Sequence, residues 1–252
     1  MSRLPKEFVG RTVRAVLFII IVIFFCTGIS TLGLFIAGKY GLTTSRERVP
    51  LTLLSIGKEG ETELPIPGKT VKGEGWVLRN SKGDYTLTLD GLVLEAKGTE
   101  AAITVVGDLN IELKKNSGNW ILSEGPGISK GAGTLVIRGE GSLEIQSEAV
   151  GILSADRENP SSACRLEGGK LAICGLEGGI SDHAVELTGS TGSIEASGAA
   201  DSIGIEAHQL KIEKFSGSLD IRGGLAAVKA EQTEGQTLPE ANQREVTIGN
   251  SK

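Results

Sequence analysis

The sequence predicts an all-β protein, a right-handed parallel β-helix with about 25 residues per coil, preceded by one transmembrane helix. Three observations carry this prediction. A small residue precedes an aliphatic residue at six nearly regular steps, short strand-like alternations lie between the steps, and one long uncharged segment opens the chain. Because repeat periods of about 20–50 residues are typical of solenoids, the six steps predict stacked coils.

Residues 15–38 are the predicted transmembrane helix, since these 24 positions carry no charged side chain. A helix of that length spans about 36 Å, which exceeds a hydrocarbon core of about 30 Å. A cleaved signal peptide is the alternative, but its apolar region is typically only about 7–15 residues long. The slight excess of basic residues before the helix favours a cytoplasmic segment 1–14 and an extracellular body. We therefore predict a single-pass protein of the cell membrane, with the lipid bilayer as a partner.

The charge of the body separates it from that basic flank. Residues 1–48 carry a net charge of +5 against −5 for the whole chain, which leaves −10 on residues 49–252. A body this acidic argues against nucleic acid as a partner. The 36 glycines lack a collagen period, and 39% hydrophobic residues are too many for a disordered chain.

The repeat consists of one two-residue step that recurs at intervals of 25, 24, 28, 25 and 23 residues. The six steps are Ala102-Ile103, Gly127-Ile128, Gly151-Ile152, Gly179-Ile180, Gly204-Ile205 and Ala227-Val228. Leu-x-Ile segments with period-2 patterning predict strands at 109–111, 135–137, 143–145, 171–173, 210–212 and 219–221. A glycine at a coil corner permits a positive φ and leaves room for close stacking.

The repeat sets the predicted domain organisation. Residues 39–73 are expected to form a linker and an N-terminal cap, 74–231 the parallel β-helix, and 232–252 a polar tail in which Val246 and Ile248 are the apolar exceptions. Residues 156–163 lengthen one coil and predict a protruding loop. One of the two ends must cover the open sheet edges, because bare ends would stack rod on rod.

Acidic residues recur three or four positions before the repeated aliphatic position. They are Glu100, Glu124, Glu148, Glu177 and Asp201. If the coils place these carboxylates at one corner, their mutual repulsion would be relieved by a cation, and oxygen-only ligands suit Ca²⁺. Calcium is therefore the candidate cofactor. The alternative is a solvated acidic edge, because an offset that varies between three and four makes the side chains fan apart.

Other chemistry is sparse, and the sequence predicts no enzyme. His183 and His208 occur without a Ser–His–Asp arrangement or a zinc-ligand spacing, and both are expected on solvated turns. Cys164 shares the parity of inward Leu166, whereas Cys174 has the opposite parity to Leu171. A disulfide between the two is therefore not expected, and with Cys26 the chain should hold three free thiols. The few aromatic residues of the body identify no sugar-stacking platform.

Residues 87–94, followed by 101–103 and 107–111, resemble bacterial cell-surface carbohydrate-binding proteins, as do the later Gly-x-Leu-x-Ile strands. The resemblance covers residues 74–231. It implies a right-handed parallel β-helix. At least some of the cell-surface proteins that this chain resembles bind acidic polysaccharide with calcium. Those proteins often carry Asp-Asp-Gly-Ile at the coil corners. Here the corners contain Ala101-Ala102-Ile103 or Gly178-Gly179-Ile180, which weakens the implied calcium and acidic-sugar binding.

Three functions follow as hypotheses. The first is a membrane-anchored extracellular β-helix that binds carbohydrate or a cell-wall polymer without catalysis, with calcium as a candidate aid. The charge of −10 on the body disfavours direct contact with an anionic polysaccharide, so a neutral glycan or a cation-bridged contact is expected. The second is a structural rod that assembles through the ends of its β-helix. The third is a polysaccharide lyase or hydrolase.

Overall fold

The computed structural model describes residues 48–57, 62–197, 200–213, 215, 217–235 and 243–249. These residues form strands, turns and loops, and no helix among them is long and apolar enough to cross a bilayer. The predicted segments 1–14 and 15–38 lie outside the described residues. The strands are β1 (Leu53–Ile56), β2 (Thr70–Gly73), β3 (Trp76–Ser81), β4 (Asp84–Leu89), β5 (Val93–Ala96), β6 (Ile103–Val106), β7 (Leu109–Leu113), β8 (Gly118–Ser123), β9 (Ile128–Lys130), β10 (Gly133–Gly139), β11 (Ser142–Ser147), β12 (Val150–Ser154), β13 (Ser162–Leu166), β14 (Lys170–Gly175), β15 (Gly178–Leu187), β16 (Thr191–Ala196), β17 (Ile203–Ile212), β18 (Ser218–Arg222), β19 (Ala226–Gly235) and β20 (Glu245–Gly249).

The strands wind into a β-solenoid of about six turns, so the predicted all-β repeat architecture is confirmed. Three faces run along it. Face one contains β6, β9, β12 and the first halves of β15, β17 and β19. Face two contains β4, β7, β10, β13 and the second halves of β15, β17 and β19. Face three contains β5, β8, β11, β14, β16 and β18, and strands from successive coils pair in parallel on every face. The right-handed winding stays a prediction.

The repeated aliphatic position forms one ladder inside face one. Ile103 pairs with Ile128, and the same register continues through Ile152, Ile180 and Ile205 to Val228. All six side chains are buried. Face three has an equivalent inner ladder, formed by Ile121, Ile145, Ile173, Ile194, Ile221 and Val246. Apolar ladders of this kind exclude water from the interior and hold the coils together.

The corner glycines of the repeated steps allow this stacking through their small size, without adopting the positive φ that glycine permits. A positive φ occurs at other glycines of the described residues, but not at Gly127, Gly151, Gly179 or Gly204. A Cβ placed on Gly151 would lie 2.5 Å from Ile173 Cγ2 and 2.8 Å from the carbonyl oxygen of Gly179. Because no Cβ tolerates such distances, glycine lets adjacent coils approach each other.

Antiparallel strands cover several of the sheet edges. β1 pairs with β6, β3 pairs with β4, and β2 extends β3. At the other end β20 pairs with β18, and its Val246 and Ile248 are each 5% exposed. β20 lies within residues 232–252, the segment predicted as a polar tail. Since an antiparallel strand breaks the parallel pattern, it opposes further coil-on-coil addition at the edge it covers.

Candidate functional site

The five acidic residues proposed as calcium ligands are all exposed, but they do not share one register. Glu124 and Glu148 directly follow Ser123 and Ser147, which pair with each other, so these two occupy equivalent positions on adjacent coils. Leu176 occupies that position on the next coil, one residue before Glu177.

The five therefore do not stack as one row of carboxylates. Glu124 Oε2 already accepts a hydrogen bond of 2.6 Å from the backbone N–H of Gly98. Within the described residues, no group of three or more His, Cys, Asp or Glu side chains is arranged to hold a metal ion.

A groove of about 450 Å³ lies on the outer surface of face three, across β8, β11, β14 and β16. Its floor consists of small side chains, because Ala172 and Ser193 occupy the outward ladder in register with Glu144. A second outward ladder contains Gln146, Cys174 and Glu195. Leu122 and Leu176 supply apolar surface and are 37% and 44% exposed.

The groove contains several carboxylates and one side-chain amide. Gln146 Nε2 donates a hydrogen bond of 2.7 Å to Glu144 Oε1, which holds the amide and the carboxylate side by side. Glu148 and Glu195 add carboxylates, and Glu195 lies 3.7 Å from the guanidinium of Arg222. Carboxylate oxygens accept hydrogen bonds, the amide group both donates and accepts them, and the exposed leucine side chains add apolar contact surface.

The two cysteines within the described residues are free, and they lie on different faces, one with its thiol inside the solenoid and the other with its thiol on the outer surface. Cys164 is fully buried, and burial raises the pKa of its thiol to about 12. Cys174 is half-buried in the groove, with its Sγ 3.4 Å from Ser197 Oγ. The predicted parity, one thiol inward and one outward, is confirmed. Cys26 lies outside the described residues.

A second cluster of polar side chains, here called the histidine cluster, contains His183, His208, Glu158 and Glu231. The expectation that both histidines lie on turns is wrong: His183 is on β15 and His208 on β17. His208 Nε2 is 3.2 Å from Glu158 Oε1, and its Nδ1 is 3.0 Å from Glu231 Oε2. Hydrogen bonds to Glu231 and then Glu158 raise the pKa of His208.

Sequence reasoning missed the groove because its position depends on coil length. Parity alone places Ala172 and Ser193 outward, since each lies between two inward residues of its strand. Their alignment with Glu144 depends on register offsets along face three of 28 and then 21 residues. On face one the corresponding offsets are 28 and 25 residues. The repeated step in the sequence has the spacing of face one and therefore does not give the register of face three.

The chain was compared with protein-family models, curated proteins and solved structures, and none of them matches it.

Proposed function

We propose that the protein is a membrane-anchored, extracellular, non-catalytic β-helix that binds a neutral polysaccharide in the groove on face three. The groove itself is the observation that supports this proposal. It crosses four strands, and three strand spacings correspond to about 14 Å, room for a short run of sugar units. Its small floor admits a chain that lies flat on the sheet, and its carboxylate and amide groups offer hydrogen bonds to hydroxyls.

Charge favours a neutral ligand over an acidic one. The groove contains Glu144, Glu148 and Glu195, and the body as a whole is acidic. An anionic polysaccharide would have to overcome this repulsion or bring a bridging cation. Glu124 and Glu148, at equivalent positions beside the groove, are the pair at which calcium would mediate such a contact.

The test uses the full-length chain in mild detergent. Isothermal titration with neutral and acidic oligosaccharides, each with and without calcium, should show binding of at least one neutral oligosaccharide without calcium. Replacing Ala172 with Trp fills the floor of the groove from outside and should weaken binding by about tenfold or more, about 1.4 kcal/mol.

The matched control is Ser129→Trp, an equally outward position on face one. It should leave the affinity unchanged. Absence of binding to every neutral oligosaccharide, or an equal loss in both variants, would contradict the proposed site.

A further inference from the structure

Four polar side chains lie inside the solenoid, enclosed by its apolar ladders. This core polar cluster contains Lys130, Ser154, Ser162 and Asp182, whose exposed fractions are 1%, 4%, 0% and 0%. Charged side chains are almost never fully buried unless they are paired. The cluster is remote from solvent and belongs neither to the groove nor to the histidine cluster.

The coil register explains how the lysine reaches the aspartate. Lys130 pairs with Ser154, and the pairing of Leu153 with Ser181 sets Ser154 opposite Asp182. Lys130 and Asp182 therefore lie on the same inward ladder, two coils apart. The small side chain of Ser154 on the intervening coil leaves room for the long lysine side chain to cross it.

The polar atoms meet at hydrogen-bonding distance. Lys130 Nζ is 3.0 Å from Asp182 Oδ2 and donates a hydrogen bond to Ser162 Oγ. Ser162 donates a hydrogen bond of 2.6 Å to Asp182 Oδ1, which also accepts one from the backbone N–H of His183. Asp182 Oδ2 lies in an ion pair with Lys130, but its geometry gives it no hydrogen bond from the described residues. The hydroxyl of Ser162 thus connects the amine to the carboxylate.

Lys130 and Asp182 place an amine and a carboxyl group in contact inside the solenoid. Desolvation of an ammonium and a carboxylate is costly when their remaining hydrogen bonds are incomplete. The two groups can react with each other only as a neutral amine and a neutral carboxylic acid, which requires one proton to move from Lys130 Nζ to Asp182 Oδ2. The amine is a nucleophile and the carboxylic acid is an acyl donor. Because the fold holds the two groups in contact, their reaction is unimolecular and needs no bimolecular encounter.

We propose that Lys130 and Asp182 condense to an intramolecular amide bond. Nζ attacks Cγ and a C–N bond forms, while one amine proton passes through the Ser162 hydroxyl to Oδ1. Oδ2 carries the acid proton. The Cγ–Oδ2 bond then breaks, and Oδ2 leaves as water with that proton and the proton given up by Oδ1, which becomes the amide oxygen. The reaction needs no oxidant and no cofactor. The amide bond links the coils of β9 and β15 across β12. It does not depend on the proposed binding of polysaccharide.

Peptide mapping of the full-length protein tests the bond directly. Trypsin does not cleave after an acylated lysine, so peptide 116–138 should appear joined to peptide 171–211. The joined species should weigh one water molecule less than the two peptides together. Recovery of the separate peptides 116–130 and 171–211, both at full mass, would overturn the proposal. This test needs no variant and does not depend on glycan binding.

Two variants examine the chemistry. Asp182→Ala removes the acyl group, so the joined species should disappear, and its persistence would show that the water is lost elsewhere. Ser162→Ala removes the proton relay and should slow linkage by about 100-fold in full chain made by cell-free translation and sampled over time. The control is Ser129→Ala, on the outer surface of β9 and outside the groove. Linkage in Ser162→Ala at the control rate would overturn the role of Ser162.

Discussion

His183 and His208 lie one above the other on adjacent coils, with ring centroids 5.0 Å apart and ring planes inclined at 36°. His183 Nδ1 is 3.1 Å from the backbone carbonyl of Arg157, to which it donates a hydrogen bond, since a carbonyl can only accept. Both ring nitrogens of His208 face carboxylates. The two rings therefore connect loop residues 157 and 158 to β15, β17 and β19.

The histidine cluster predicts a pH-dependent stability. The pKa of His208 is raised above its ordinary value of 6.5 by hydrogen bonds to Glu231 and Glu158, because both ring nitrogens donate only in the imidazolium form. A raised pKa means that the stabilisation is fully present below the unfolded pKa and is lost as the pH rises through the folded pKa. The thermal midpoint difference between the wild-type protein and His208→Gln should therefore shrink as the pH is raised above 6.5.

Glu231 sets the lower limit of the pH range in which the histidine cluster stabilises the protein. Its pKa is lowered by His208, so its own contribution is present above its unfolded pKa and is lost as the pH falls through the folded pKa. Glu213→Gln serves as a control, because Glu213 pairs with Lys211 and not with a histidine. Its difference from the wild-type protein should not shrink as the pH is raised above 6.5. A His208→Gln difference that is constant or grows with pH would contradict the assignment.

The corner glycines predict a second, position-dependent effect. A Cβ on Gly179 would lie 2.5 Å from the carbonyl oxygen of Gly204 and 2.5 Å from Ile194 Cγ2. Backbone cannot move aside cheaply, so Gly179→Ala should destabilise the protein by about 1–3 kcal/mol in urea unfolding. In Gly118→Ala the added Cβ would lie 3.7 Å from Ser142 Oγ, so this control should be neutral or slightly stabilising. Equal losses in both variants would contradict the steric explanation.

Much of this fold is predictable from sequence, because the period of the small-aliphatic step equals the coil register on face one. The step spacing of 28 residues between Gly151 and Gly179 is the same offset that pairs Ile152 with Ile180. The core polar cluster is harder to foresee. Lys130 and Asp182 have the inward parity of Ile128 and Ile180, but a charged residue type argues for solvent. Only the register across two coils shows that each side chain has a buried partner.

Register between coils also decides how the predicted carboxylates are arranged. Local spacing predicts that Glu100, Glu124, Glu148, Glu177 and Asp201 share a corner. The corner loop between faces three and one contains six residues in the first coil, 97–102, but four in the next, 124–127. A change of two residues in one loop displaces a side chain from the ladder, and the spacing to the next aliphatic residue does not reveal it.

The cysteines predict a large contrast in reactivity. Thiolate is the reactive species, and burial holds the Cys164 thiol protonated by raising its pKa to about 12. A maleimide reagent should therefore modify Cys174 in the native protein and Cys164 only after unfolding, as read by peptide mapping, which also distinguishes Cys26. If the groove binds glycan, the bound oligosaccharide should slow the labelling of Cys174. Native labelling of Cys164 at a rate equal to that of Cys174 would contradict the buried position.

The covered C-terminal edge of face three predicts that the protein does not polymerise end to end through that edge. β20 pairs antiparallel with β18, and its Val246 and Ile248 close the inner ladders of face three. Sedimentation in detergent, corrected for the micelle, should therefore give a monomer, whereas larger species would favour the structural-rod hypothesis. Replacing both residues with Asp forfeits about 1.5–3 kcal/mol of burial per side chain and adds charges, so β20 should detach.

That detachment should expose the edge of β18 and cause concentration-dependent association, because an uncovered parallel edge is a template for another strand. Thr247→Ser is the matched control, since Thr247 points outward and donates a hydrogen bond of 2.8 Å to Asp220, which serine can replace. The control should remain monomeric. If the double Asp variant also stays monomeric while its thermal midpoint falls, β20 contributes stability alone, and protection against assembly must come from elsewhere in the chain.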